Sequence, residues 1–364
     1  MDNSQLKYLM DRYNIKRLLR LVAIIIPLAL AGNIAYLVLT TESGFLKQIG
    51  GFDYRYFGLA IILALLPWFG QSMQILIWGR VFDVKISSSK AFKTVLASDI
   101  GAAITPTMLG GGYAKLGLLI NYGFAPAKAT LVTFLGSLAD ALFFVIALPL
   151  AVLWTRTWEN PHVIKVWRDL ISNWPVAIAV FLLFILFLII IKNSNREIRK
   201  LFSKQQSRKG ILGKIIGGVS KFKNDLVAAA GFVMQNGKKS FLACVLFAGI
   251  GWFGRYGAIS ALVAGLGYPV DPVLFFLLQW VVFTSMTLIP TPGAIGGAEV
   301  SFSLIYSGHI PGEAIPIITA AWRFVTFYTT VGLASIIFAI SRLKIFTIGP
   351  EQIDSRVPDK PEIP

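Results

Sequence analysis

Five ionisable side chains stand inside apolar stretches of this chain: Lys115, Asp140, Arg255, Glu299 and Arg323. A charge surrounded by hydrocarbon needs a partner, a wet cavity or a ligand, so each is a candidate for binding chemistry. Lys115 follows the glycine run that starts at Gly110 and Gly111, and Glu299 follows Gly296 and Gly297. Both occupy the turn after a glycine break, where helix amides and the helix dipole favour anions. Lys115 beside such amides would make a phosphate-sized site, whereas Glu299 is equally explained as a dipole-stabilised helix start. Asp140 and Arg323 sit in the apolar runs after the two breaks, at nearly equivalent places. A structural ion pair between them and a direct substrate contact are both open. Arg255 could pair with Glu299 or with a lipid phosphate.

Other chemistries find little support. There is no His-Glu-x-x-His, no Gly-x-Ser-x-Gly in a suitable setting and no Gly-x4-Gly-Lys-Ser/Thr loop for ATP. His162 and His309 are the only histidines and make a poor metal pair, and no cofactor is expected. Asp140 and Glu299 remain an acid/base candidate for an intramembrane enzyme.

The elements that must position these groups are helices in a bilayer. The chain is 55% hydrophobic and only 14% charged, with a mean hydropathy of +0.69, which a water-soluble fold could not hide. Spans long enough to cross are expected at Leu21 to Leu39, Phe57 to Gly79, Ala129 to Trp154, Pro175 to Ile191, Phe241 to Leu266 and Ala314 to Ile340. The net charge of +16 gathers beside these spans rather than in a nucleic-acid-binding patch. Residues 1–20 are basic, as are 80–93 and the linker 192–240, and basic flanks mark the cytoplasmic side. An inner (plasma) membrane protein with cytoplasmic termini follows, its first helix retained and its tail, residues 343–364, disordered. The linker's apolar residues suit an amphipathic helix on an anionic leaflet as well as a solvated connection.

Two tracts, Val95 to Tyr122 and Pro272 to Ser307, are apolar but broken by glycine and proline. Overlaid, Thr105-Pro106 falls on Thr291-Pro292 and Gly110-Gly111 on Gly296-Gly297. The overlay extends to units of about 57–154 and 241–340, each a helix, an interrupted hairpin and a helix. Flanking charge orients the helices from Phe57 and Phe241 oppositely. The fold expected is therefore an all-α polytopic membrane protein with about six full spans. It would contain an inverted-topology repeat with two re-entrant hairpins, a sequence pointer to a midplane transport site. Ordinary kinked spans are the alternative for the hairpins.

The motifs Thr-Pro-x3-Gly-Gly-Gly-Tyr-Ala-Lys (Thr105 to Lys115) and Pro-Thr-Pro-Gly-Ala-Ile-Gly-Gly-Ala-Glu (Pro290 to Glu299) resemble those of the lysylphosphatidylglycerol synthase transmembrane, flippase-like family. Trp322 to Tyr328 is similar to that family's closing helix, and the resemblance spans most of residues 15–342. Family members often carry Arg or Glu-Arg just before the aspartate matching Asp140, where this chain reads Gly136-Ser137-Leu138-Ala139. The resemblance implies movement of a lipid between leaflets by a flippase-like domain over 21–342, with membrane lipids, an anionic phospholipid among them, as partners. It also implies no lipid synthesis, since only a short tail follows Ile340. A homo-oligomer, or a role as the non-catalytic partner of a synthase, is also open.

Overall fold

The computed structural model describes residues 50–105, 110–159, 231–287 and 291–346, together with Pro27, Ala31 and Ile289. The spans expected near Leu21 and Pro175, most of the basic linker and the tail from residue 347 lie outside them. The described residues are helical, and no strand occurs among them. In chain order they form α1 (Tyr54–Val81), α2 (Ser88–Ile104), α3 (Gly110–Asn121) and α4 (Pro126–Thr155), then α5 (Lys238–Gly265), α6 (Pro272–Thr287), α7 (Gly297–Tyr306), α8 (Ile315–Arg323) and α9 (Thr330–Phe346). A π-helical stretch, Phe324–Thr329, joins α8 to α9. Among the described residues, four helical stretches are long and apolar enough to cross a membrane: α1, α4, α5 and Ile315–Phe338. This is a polytopic helical membrane protein, and those four match four of the expected spans to within a few residues.

Local chemistry sets the boundaries. Asp53, Ser87 and Asp271 cap α1, α2 and α6, each with a side-chain oxygen accepting from a first-turn amide. Gly123 and Gly267 adopt positive φ, at 102° and 80°, where the chain turns after α3 and α5. The helices recur in two sets of similar lengths. The first has 28, 17, 12 and 30 residues. The second opens with 28, 16 and 10 residues before the long interrupted helix. At 1.5 Å per residue, α3 and α7 are about 18 and 15 Å long, short of the roughly 30 Å hydrocarbon layer.

The chain divides into two compact units, one of Met1–Ala129 with Phe247–Pro364 and the other of Thr130–Leu246. In the second unit α4 turns Val145, Leu150, Leu153 and Trp154 outward, a surface suited to lipid. The first unit holds the core, built from Ala60 and Ala64 of α1, Ala258, Ile259 and Leu262 of α5, and aromatics of α6 to α8. Here α1 and α5 cross antiparallel. A Cβ on Gly70 would collide with the Phe247 carbonyl oxygen, and one on Gly254 would meet the Leu63 oxygen at 2.5 Å. Between these points Gly251 faces Pro67, near the middle of both helices. In a bilayer such close backbone approach substitutes van der Waals packing for a hydrophobic driving force.

Gly254→Ala should therefore destabilise the protein by about 1 to 3 kcal/mol through overpacking. Gly117→Ala, with open space around its Cβ, should be neutral. Thermal unfolding in detergent, followed by the surviving monodisperse peak, compares the two.

Candidate functional site

The second broken segment is closed by a sealed ion pair. Arg323, at the end of α8, and Glu299, in the first turn of α7, are only 2% and 5% exposed. Arg323 Nε donates to Glu299 Oε1 at 3.0 Å and its Nη2 to the Gly293 carbonyl at 2.9 Å. Its guanidinium lies 4.6 Å from the centre of the Phe327 ring, a cation–π contact strengthened by desolvation. Glu299 also gains from the positive end of α7. Its second oxygen, Oε2, is buried without a hydrogen-bond partner.

Packing on either side brings the pair together. Phe302, one turn after Glu299, stacks on Tyr306 at 4.3 Å and on Trp322 at 5.2 Å, next to Arg323. Tyr306 in turn hydrogen-bonds the Phe275 carbonyl and Gln279 of α6. The turn Pro292–Ala294 supplies the carbonyl, and it needs glycine. Gly293 has φ 62°, and a Cβ there would strike the Phe327 ring at 2.5 Å. Gly296 has φ 80°, and Gly297 packs on Ile289. Ala294 also holds positive φ, at 53°, without glycine's freedom.

The first broken segment is closed by neutral groups. Thr105 Oγ1 donates to the Gly101 carbonyl and accepts from Gly110 N–H, each at 2.8 Å. Ser98 donates to the Gly111 carbonyl at 3.0 Å. Side chains at Gly110 or Gly111 would collide with α2 backbone at 2.5 to 2.8 Å. Gly110, Gly111, Gly293, Gly296 and Gly297 thus have a packing or backbone reason to be there, whereas Gly112 has open space around its Cβ.

Beside this segment lies a second group of charges. Lys115 is buried, at 8% exposure, on α3. Asp99, half-buried on α2, accepts from the indole Nε1 of Trp68 at 2.6 Å. Lys115 and Arg255 both lie within electrostatic reach of Asp99. Backbone packing explains the gathering. Gly101 touches Ala114, Lys115's neighbour, and Gly251 touches Pro67, Trp68's neighbour, one turn before Arg255. Arg255 is half-buried, its guanidinium 5.7 Å from both the Trp252 and Phe283 rings. The helix α2 also packs against α9 and against the Pro292–Ala294 turn, so both broken segments belong to one unit.

Against expectation, then, the carboxylate that Arg323 meets is that of Glu299, and Arg255 stands with Asp99 and two aromatic rings. Asp140 is half-buried and belongs to the other unit. Asp99, which bonds an indole in the middle of α1, was not among the sequence candidates, and its place within the apolar tract before Thr105 was the available signal. Trp68 carried no signal of its own.

Removing one partner of the sealed pair leaves an uncompensated buried charge, at roughly 3 to 5 kcal/mol. Glu299→Gln and Arg323→Gln should each collapse the monodisperse yield, and the double variant should recover much of it. A double-mutant cycle on thermal stability measures that coupling.

The family model for the lysylphosphatidylglycerol synthase TM region matches residues 22–334. The chain is also similar to a UPF0104 membrane protein of Archaeoglobus fulgidus, 22% identical over 301 residues that cover 79% of this chain and 86% of that protein. With the family model covering most of its length, the chain belongs to the lysylphosphatidylglycerol synthase transmembrane region family.

Proposed function

We propose that this protein moves a phospholipid, or a lipid-linked anionic headgroup, between the leaflets of the inner (plasma) membrane. The observation that carries the reading is the cluster of buried Lys115 with half-buried Asp99 and Arg255 beside the crossing of two long apolar helices. Charges at that depth need protein partners, water or a ligand, because contact with hydrocarbon costs several kcal/mol. A cationic cluster there serves to neutralise a lipid phosphate during its passage. Lys115 and Arg255 are the phosphate ligands in this reading, and Asp99 and Trp68 hold them in place. Glu299 and Arg323 fix the second broken segment, and Gly110, Gly111, Gly296 and Gly297 let its elbows and those of the first segment form. Asp140 is a further candidate for contact with the lipid.

The antiparallel crossing of α1 and α5, the recurring helix lengths and the short second arms α3 and α7 support an inverted repeat with two re-entrant hairpins. Unpaired backbone at each elbow is then bonded within protein or faces a watery cavity, as hydrocarbon demands. Alternating access would come from one repeat rocking against the other. In this reading the protein is a carrier rather than an enzyme, its termini are cytoplasmic, and its energy comes from a gradient or a partner.

Two measurements decide the matter. In proteoliposomes containing acyl-labelled lipid, Lys115→Ala and Arg255→Ala should each slow leaflet exchange at least tenfold, and unchanged rates in both would remove the site. In a Cys244→Ala background, cysteines placed at Asp83 and Asp271 should label from opposite faces of the membrane. Labelling from the same face would sink the inverted arrangement.

A further inference from the structure

Two arginines stand well inside membrane-crossing helices of the first unit, and they use their donors differently. Arg323 commits Nε to Glu299 and Nη2 to the Gly293 carbonyl, with Phe327 against its guanidinium. Arg255 has no hydrogen bond and no ion pair among the described residues. Asp99 lies within electrostatic reach, but its bond is to Trp68. Two rings hold Arg255 instead. Its guanidinium lies 5.7 Å from the centres of both the Trp252 and the Phe283 ring, and those rings meet edge to face at 5.6 Å and 82°. The three groups form a triangle of nearly equal sides, with Trp252 on α5 beside Arg255 and Phe283 on α6. Cation–π attraction steadies the charge without using up its N–H groups. The planar fork is therefore held in place while its donors stay uncommitted.

Those donors lie deep. Arg255 is ten residues from the nearer end of α5, at Gly265, or about 15 Å along the axis. Hydrocarbon offers no acceptor there, so one must come from water or from a ligand. Unlike Glu299 Oε2, which is sealed without a partner, the nitrogens of Arg255 remain accessible. We infer that Arg255 grips one phosphate of the carried lipid through two parallel N–H···O bonds, and that Trp252 and Phe283 are the positioning residues that hold the fork for it. The inference rests on the translocation reading and deepens it. The site selects a headgroup that presents two phosphate oxygens to one guanidinium, a match that an ammonium, being a point charge, does not reproduce. Groups attached beyond the phosphate are not read by this contact.

Fork and rings can be altered separately. Exchange of acyl-labelled phosphatidylglycerol is measured with the full chain in proteoliposomes over a range of mole fractions, with glucosyl and glucuronosyl diacylglycerol as lipids lacking phosphate. Wild-type protein should move phosphatidylglycerol at least tenfold faster than either. Arg255→Lys keeps the charge and loses the fork, and it should slow phosphatidylglycerol exchange at least tenfold. Phe283→Leu removes a ring and leaves an apolar side chain. It should raise the half-saturating mole fraction at least threefold with the maximal rate within twofold of wild type, and Phe283→Tyr, which keeps a ring, should restore half-saturation to within twofold. Variants are assayed only as monodisperse peaks, and the two Phe283 variants decide where Arg255→Lys yields none. Arg255→Lys exchanging within threefold of wild type, Phe283→Leu with unchanged half-saturation, or a phosphate-free lipid moving as fast as phosphatidylglycerol each overturns the inference and leaves translocation standing. No exchange of any lipid by well-folded wild-type protein overturns translocation itself, and this inference with it.

Discussion

A break between helices in a membrane protein frees carbonyls and amides that must be bonded within protein or reach water, because hydrocarbon cannot satisfy them. Arg323 mends the second break. One guanidinium ties Glu299, at the start of α7, to the Gly293 carbonyl in the turn before it, and it rests on Phe327 of the following π-helical stretch. Three consecutive elements, the turn, α7 and the end of α8, are thereby fixed by one side chain. The aromatic stack of Tyr306, Phe302 and Trp322 flanks it and excludes what water could weaken it.

The first break is mended more cheaply. Thr105 both donates and accepts across the elbow, and Ser98 reaches the opposite arm. Thr291, which falls on Thr105 when the two tracts are overlaid, hydrogen-bonds the Ile295 carbonyl. Neutral hydroxyls close the first break, while the second carries an ion pair. Beside the first break, Lys115 and Arg255 stand with Asp99 in a cluster whose composition differs from that of the sealed pair.

How much of this was legible follows from the range of each interaction. Four of the long helices could be placed to within a few residues, because an apolar run and its caps are local features. The glycine elbows were equally plain, since positive φ at Gly293 and Gly296 and the close approach at Gly110 leave no room for another residue. The charge pairings were not legible. Overlaying the repeat set Arg323 against Asp140, but partner choice is fixed by how α7 leans on α6 and α8 through stacked rings, a matter of side-chain packing between segments. The surroundings of Asp99 were hidden for the same reason: the glycine-mediated crossing of α1 and α5 sets Trp68 and Arg255 beside it, and the approach of Gly101 to Ala114 brings Lys115.

That crossing also accounts for why the charges can be tolerated where they are. Glycines at 70, 251 and 254 let two backbones touch near their midpoints, which sets Trp68 and Arg255 on adjoining helices beside Asp99. In the translocation reading a charged headgroup would meet Lys115, Arg255 and the indole-bound Asp99. Its acyl chains would stay in the bilayer. In the translocation reading the sealed pair supplies rigidity and the cluster of Asp99, Lys115 and Arg255 supplies affinity. The two needs conflict within one site, because a pair buried well enough to lock a turn is closed to a ligand, and a cluster open enough to bind one cannot lock a turn.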